Sequence, residues 1–343
     1  MSEALVYPFA DYPQEGGATE VADGIFWLST PIPFVGLRQV NLWLLRDGDG
    51  WTMVDCGYAY DAARAAIAAA WESVLRGRKI TRLIVTHFHP DHVGNSGWIA
   101  GRWDTRPLMT QGEWFAANLA ARDTADDSIA RRVTFFREHG LDEARIDIFQ
   151  RGAILYSAGV ELPLAFTRIT DGDVLPIGAD RWTVITGEGH SPEHAALYCA
   201  ERKLLISGDQ ILPTITTNIS VWPAEPDADP LGLFLESGRR FAARLDPATL
   251  VLPSHRRPFR NVHHRLDELA HHHDERLQLI LSATGRETTA ADLIDVLFQR
   301  ALDGHQMGFA MGEAIAHLNH LVTLGRMERV RDASGVCRYR KLT

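Results

Sequence analysis

Cysteine is scarce in this chain. Cys56, Cys199 and Cys337 are the whole supply, far apart and without a CxxC pair. An odd, scattered set supports no disulfide framework, and a reduced, cytoplasmic setting is expected. No apolar run approaches the roughly eighteen residues of a membrane-spanning helix, so no membrane partner is expected. The opening MSEALVYPFADYPQEGG has neither a basic stretch nor an apolar core, and is not read as a secretory leader. Positive charge is also short: 35 Lys and Arg against 44 Asp and Glu leave a net charge of -9. An acidic chain is a poor general binder of nucleic acid or of anionic membrane. Internal repeats and low-complexity segments are missing too.

What is present is ordinary globular material. Of 343 residues, 45% are hydrophobic and 23% charged, which excludes whole-chain disorder and allows a large core. At about 150 residues per domain the length suggests two. Short apolar runs at 24–28, 40–45 and 51–54 read as strands. The last two are joined by Arg46-Asp47-Gly48-Asp49-Gly50, a hairpin signal. Asp61 to Leu75 has helical spacing, and 82–86 is a buried strand. Residues 112–162 carry apolar side chains at helical intervals and predict two or three helices inserted as a cap. Strands resume at 166–169, 182–185, 196–199, 204–206 and 250–252. Val262 to Ala283 is a helix by pattern. Helices over Ala290 to Leu302 and Ala310 to Leu324, then strands at 327–330 and 336–340, outline a winged helix. Runs of strands with helices inserted imply an α/β sandwich.

Histidine is the abundant residue, with 15 in the chain. Thr86-His87-Phe88-His89-Pro90-Asp91-His92 follows directly on a strand. In an extended segment residues two apart point the same way, so His87 and His89 can face one ion. Asp91 and His92 fall where the chain turns and can face a second. Imidazole and carboxylate suit zinc first, with iron or manganese as alternatives. Three later residues sit at strand ends in the same way: His190 in Gly-Glu-Gly-His-Ser-Pro, Asp209 in Ile-Ser-Gly-Asp, and His255 in Leu-Pro-Ser-His. Five histidines and two aspartates are what a two-metal hydrolase needs. His271, His272 and His273 fan out by about 100° each on a helix and cannot share an ion.

With these motifs the chain resembles the metallo-β-lactamase-fold superfamily over residues 20–265. The resemblance implies an αββα sandwich. It assigns His87, His89 and His190 to metal one, Asp91, His92 and His255 to metal two, and Asp209 to a bridge between them. Asp91 and Asp209 are the carboxylates expected to be catalytic. Val54-Asp55-Cys56-Gly57 is similar to the family's strand-end Asp-x-Gly, with Asp55 behind the ligands. The C-terminal outline resembles the branch with a winged-helix domain, which includes an endoribonuclease. The chain departs from the pattern where Ser254 replaces the commoner Gly before His255, and where Glu193 replaces the Gly of glyoxalase II. The basic C-terminal pattern of glyoxalase II is not visible, which counts against glutathione thioesters. True β-lactamases lack the bridging Asp, which counts against antibiotics.

The expected domains are 1–265, catalytic with the 112–162 cap, and 266–343, a linker helix and winged helix. A water shared by two cations about 3.5–4 Å apart loses a proton near neutral pH and becomes the nucleophile. No Ser or Cys nucleophile is required. Hydrolysis of a small-molecule ester, thioester or lactone is expected; phosphodiester hydrolysis, as in the ribonuclease relative, is the alternative. Arg256 and Arg257 follow a ligand directly and are candidate binders of a substrate anion. His194 is a candidate substrate contact, against a supporting role behind the ligands. Over 286–343 there are eight Lys and Arg against seven Asp and Glu, and Ala310 to Leu324 has no Lys or Arg. The C-terminal part is therefore expected to pack or dimerise and not to bind DNA.

Overall fold

The computed structural model describes residues 4–14, 16–34, 36–123 and 125–342. They group into two compact units built from interleaved chain segments: 1–122, 156–217 and 239–266 in one, 123–155, 218–238 and 267–343 in the other.

The first unit is built on two sheets. Seven strands form the first in sequence order: β1 (Ala18–Ala22), β2 (Ile25–Pro31), β3 (Gln39–Asp47), β4 (Gly50–Val54), β5 (Ile80–Ile84), β6 (Pro107–Met109) and β7 (Thr167–Arg168). Pairing is antiparallel up to β4 and parallel from there. The hairpin between β3 and β4 closes with Asp47 opposite Gly50, and Gly48 takes a positive φ of 60°. Few side chains tolerate that conformation, which tight hairpins of this kind require. The second sheet holds β8 (Val174–Ile177), β9 (Asp180–Gly187), β10 (His194–Cys199), β11 (Leu204–Gly208) and β12 (Leu250–Pro253), with only β11 and β12 parallel.

Leu42 to Leu45 is apolar without interruption because both faces of β3 are covered. Trp43 and Leu45 join Trp27, Val54, Trp182, Val184, Leu197 and Ile206 in a core between the sheets. Leu42 and Leu44 point the other way. They pack with residues of α1 (Asp61–Val74) and α3 (Ser96–Trp103), such as Ile67, Trp71 and Ile99. The short α2 (Pro90–Val93) carries part of the histidine motif, and α4 (Gln111–Ala121) follows β6. Helices flank the sheets, as an α/β sandwich requires.

The second unit holds α5 (Ala125–Glu138) and α6 (Glu143–Gly152). α7 (Pro230–Arg244) and α8 (Val262–Ala283) each contribute to it. α9 (Ile294–Leu297) and α10 (Gly304–Thr323) precede the hairpin β14 (Met327–Arg331) and β15 (Cys337–Lys341), which β13 (Glu287–Thr288) extends to three strands. The expected insertion is therefore divided: α4 belongs with the sheets, while α5 and α6 pack with the C-terminal elements. The border expected near 265 falls inside α8.

α10 packs on α6 through glycine. A Cβ on Gly304 would lie 2.2 Å from the Ile148 carbonyl and 2.7 Å from the Gly152 Cα. Gly308 faces the Phe149 ring, and Gly312 faces Ser220. These three glycines, four apart, form one helical stripe. The helix expected over 290–302 is broken, because Phe298 turns extended after α9 (φ -127°, ψ 93°). No helix among the described residues is long and apolar enough to cross a membrane.

Candidate metal centre

Five of the seven expected ligands lie just beyond a strand of the two-sheet core or in the loop that follows one, and the other two lie in the short helix after β5. His87 and His89 follow β5, Asp91 and His92 lie in α2, His190 follows β9, Asp209 follows β11, and His255 follows β12. Strand ends are the place where side chains from distant segments converge without interrupting a ladder.

The ligand atoms form three overlapping groups, His87–His89–His190, His87–His92–Asp209 and Asp91–His92–His255, each with its atoms within 4.8 Å of one another. His87 Nε2 lies 3.0 Å from His89 Nδ1 and 3.2 Å from His190 Nε2. Nitrogens held tetrahedrally at about 2.0–2.1 Å from zinc stand about 3.3 Å apart. His255 Nε2 lies 3.3 Å from Asp91 Oδ2 and 3.4 Å from Asp209 Oδ2. Asp209 Oδ2 is also 3.6 Å from His92 Nε2 and 3.7 Å from His190 Nε2.

The atoms turned away from this centre are held by the protein. His87 Nδ1 donates to Thr86 Oγ1 at 3.0 Å, and that hydroxyl donates to Asp55 Oδ2 at 2.9 Å. His92 Nδ1 donates to Asp55 Oδ2 at 2.9 Å, and His255 Nδ1 to the Gln39 carbonyl at 3.0 Å. Each arrangement leaves Nε2 as the lone-pair nitrogen facing inward. Metal-binding histidines have such partners, which fix tautomer and ring orientation. The Nε2 atoms of His92 and His255 and the Oδ1 of Asp209 are buried without a hydrogen-bond partner. Unpartnered polar atoms at full burial are costly, and a divalent cation would satisfy all three. The donor set fits divalent metal ions.

The electrostatics agree. Burial, then His92 and the other neighbouring histidines, push His87 well below the ordinary imidazole range. Burial and His190 hold His89 down at about 3. Both rings are thus held neutral, the form a metal ligand needs. Burial also opposes charge on His92 and His255, but the nearby carboxylates outweigh it: Asp91, Asp209 and Asp55 for His92, Asp209 and Asp91 for His255, which is raised to about 10. The acids that draw a proton to these rings are those that would draw a cation.

Asp55 also accepts from the Thr86 amide at 2.7 Å, and sits at a positive φ of 60°. Ser254 places its hydroxyl 3.4 Å from the same carboxylate, which gives the unusual Ser before His255 a role. His194 is fully buried, and its Nε2 accepts from the Asp209 amide at 3.1 Å. Its ring supports a ligand and presents no surface to a substrate. Arg257 donates to the Ala10 carbonyl at 2.8 Å and lies 4.8 Å above the Tyr7 ring, so it is engaged by the N-terminal segment. Arg256 is half-buried, and its backbone carbonyl accepts from Asn41 at 2.7 Å. One residue beside the ligands had no signal in the sequence. Glu113 on α4 is fully buried and accepts three hydrogen bonds. Burial pushes its carboxyl up to about 7 against those donors.

The fold and this ligand set define the class: a metal-dependent hydrolase. Residues 35–255 match the family model described as "Metallo-beta-lactamase superfamily", and residues 277–342 the one described as "Metallo-beta-lactamase-like, C-terminal domain". The chain belongs to the metallo-beta-lactamase superfamily. It is similar to a solved "Beta-lactamase domain protein from Burkholderia ambifaria", at 43% identity and a TM-score of 0.92, with 98% of each chain covered. It is 25% identical over 246 residues to the Bacillus subtilis "Probable metallo-hydrolase YqjP", covering 70% of this chain and 74% of the relative. It is 24% identical over 200 residues to the human "Acyl-coenzyme A thioesterase MBLAC2", covering 56% of this chain and 64% of the relative.

Proposed function

We propose that the chain is a dinuclear hydrolase that holds two divalent ions, zinc in the first instance, and cleaves a small-molecule ester, thioester or lactone. The observation that carries this reading is the position of Asp209. Its Oδ2 is 3.4–3.7 Å from the Nε2 atoms of His92, His190 and His255, so one oxygen is within reach of both ligand sets. His87, His89 and His190 would hold one ion, Asp91, His92 and His255 the other, and Asp209 would join them. Two such ions supply a water acidic enough to attack at neutral pH and a Lewis acid for the scissile carbonyl.

The chain's own residues do the positioning. Asp55, Thr86 and Gln39 hold three histidines with Nε2 inward, and His194 holds the Asp209 backbone. The Cys56 thiol donates to the His92 carbonyl at 2.8 Å, and burial, then Asp55, push it well above the ordinary range. It is no nucleophile, which favours direct hydrolysis without a covalent intermediate. Among the substrates, a thioester is favoured by the likeness to the relative named an acyl-coenzyme A thioesterase. Nucleic acid is disfavoured by the acidic balance and by α10, which has no Lys or Arg and is mostly buried.

The test is a hydrolysis panel of thioesters, lactones, aryl esters, phosphodiesters and short RNA on zinc-loaded protein. The expected result is turnover of a thioester, ester or lactone that Asp209→Ala abolishes. Turnover confined to phosphodiesters would overturn the reading.

A further inference from the structure

The 87–92 segment follows a strand of the first sheet, and His190 lies between two strands of the second. Their ligand nitrogens must nevertheless stand little more than 3 Å apart. One side chain binds both loops. Glu113 Oε1 accepts from the Ser191 hydroxyl at 2.6 Å and from the Glu193 amide at 2.7 Å. Its Oε2 accepts from the Phe88 amide at 2.8 Å. Phe88 sits between His87 and His89, and Ser191 directly follows His190.

The same helix end is tied a second time. Thr110 Oγ1 donates to the Glu193 carbonyl at 2.7 Å, and the Gly112 amide donates to the Glu193 carboxylate at 2.8 Å. Thr110, at the N-cap of α4, makes no side-chain cap bond. Glu193 supplies the cap in its place, where the helix dipole favours a negative charge. Phe88 is gripped on its other side as well, since the Tyr156 hydroxyl donates to its carbonyl. The donors recorded on Glu113 are two amides and a hydroxyl. A fully buried carboxylate held by neutral donors alone is expensive to maintain, and an apolar side chain would fill the space at less cost.

We propose that Glu113 is a positioning residue, a clamp from α4 that sets the distance between the two loops and thereby the spacing of His87, His89 and His190. The proposal rests on the reading that these three histidines hold a metal ion. Glu113 touches none of them; it acts through Phe88 and Ser191.

The test is a zinc titration of the metal-free full chain against a chromophoric chelator. Binding phases are assigned with His190→Ala and His255→Ala. Glu113→Gln keeps the shape, but an amide accepts at one end only, so one loop is released. The phase lost in His190→Ala should weaken roughly 10–100-fold, as when other residues supporting a metal ligand are replaced. The phase lost in His255→Ala should stay in place. Ser191→Ala removes one of the three bonds, should weaken the same phase by less, and decides the matter if Glu113→Gln does not fold. A wild-type protein that binds no zinc would overturn the metal reading itself. Wild-type binding with both phases unchanged in the variants, or both weakened equally, would overturn the role of Glu113.

Discussion

At the scale of single residues, Asp209 and His190 differ in what they serve. His190 belongs to one candidate group, whereas the Asp209 carboxylate lies within reach of His190 and also of His92 and His255. Elemental analysis should find about two ions per wild-type chain and about one in His190→Ala. Asp209→Ala should lose part of both and cut turnover by at least about 100-fold. All seven candidate ligands that the fold brings together were legible in the sequence, because a metal site demands rare residue types at strand ends. Glu113 was not, since a lone acid in a helical pattern looks like any solvated position. Arg257 was legible only as a charge after a ligand; its partners, Tyr7 and Ala10, are some 250 positions away along the chain. Arg257→Gln is therefore expected to loosen the N-terminal segment. It should leave the ratio of KM values for anionic and neutral substrates unchanged, which a paired kinetic comparison would read.

At the scale of elements, glycine misleads a sequence reading. The helix expected from Ala310 starts at Gly304 in the fold, and the stretch missed holds Gly304 and Gly308, although glycine inside a helix costs about 1 kcal/mol relative to alanine. In the fold that cost allows close approach of α6, a partner no local pattern names. Gly304→Ala would drive a methyl into the backbone of Ile148 and Gly152. It should destabilise by about 1–3 kcal/mol or more. Gly101→Ala, exposed in α3 with open space around its Cβ position, should instead gain about 0.5–1 kcal/mol. Urea midpoints of the two variants should move in opposite directions. α8 was legible end to end, because its apolar stripe is long and regular. The end of α9 was not, since Arg276 lying 5.2 Å over the Phe298 ring belongs to a tertiary setting.

At the scale of the whole molecule, acid should act through α8 and α10. His317 Nδ1 donates to the Glu313 carbonyl at 2.8 Å, so its Nε2 accepts from His273 Nδ1 at 3.2 Å. Burial, together with neighbours including His272, His320 and Arg276, lowers His273 to about 2 and His317 to about 4. The fold keeps both rings neutral, whereas the unfolded chain protonates them near pH 6.5. Their contribution is intact above about pH 6.5 and is lost as pH falls toward the folded values, by up to about 1.4 kcal/mol per pH unit for each ring. Urea unfolding at pH 7.5 and pH 5 should show this loss reduced in His273→Gln. An equal loss in the variant would count against it.

The division of the second unit among three stretches of chain also imposes an order in time. During synthesis, α6 is complete at Gly152, but the helix that covers it starts at Gly304. At about 5–20 residues per second, roughly 8–30 s pass between the two. The strands β8 to β12 are made in that interval, so the sheets can close before α10 exists. Ile146 and Phe149, both buried in the finished fold, wait through it without their partner. A ribosome-held chain halted between α8 and α10 should be cut by protease within α5 and α6 while its sheets resist.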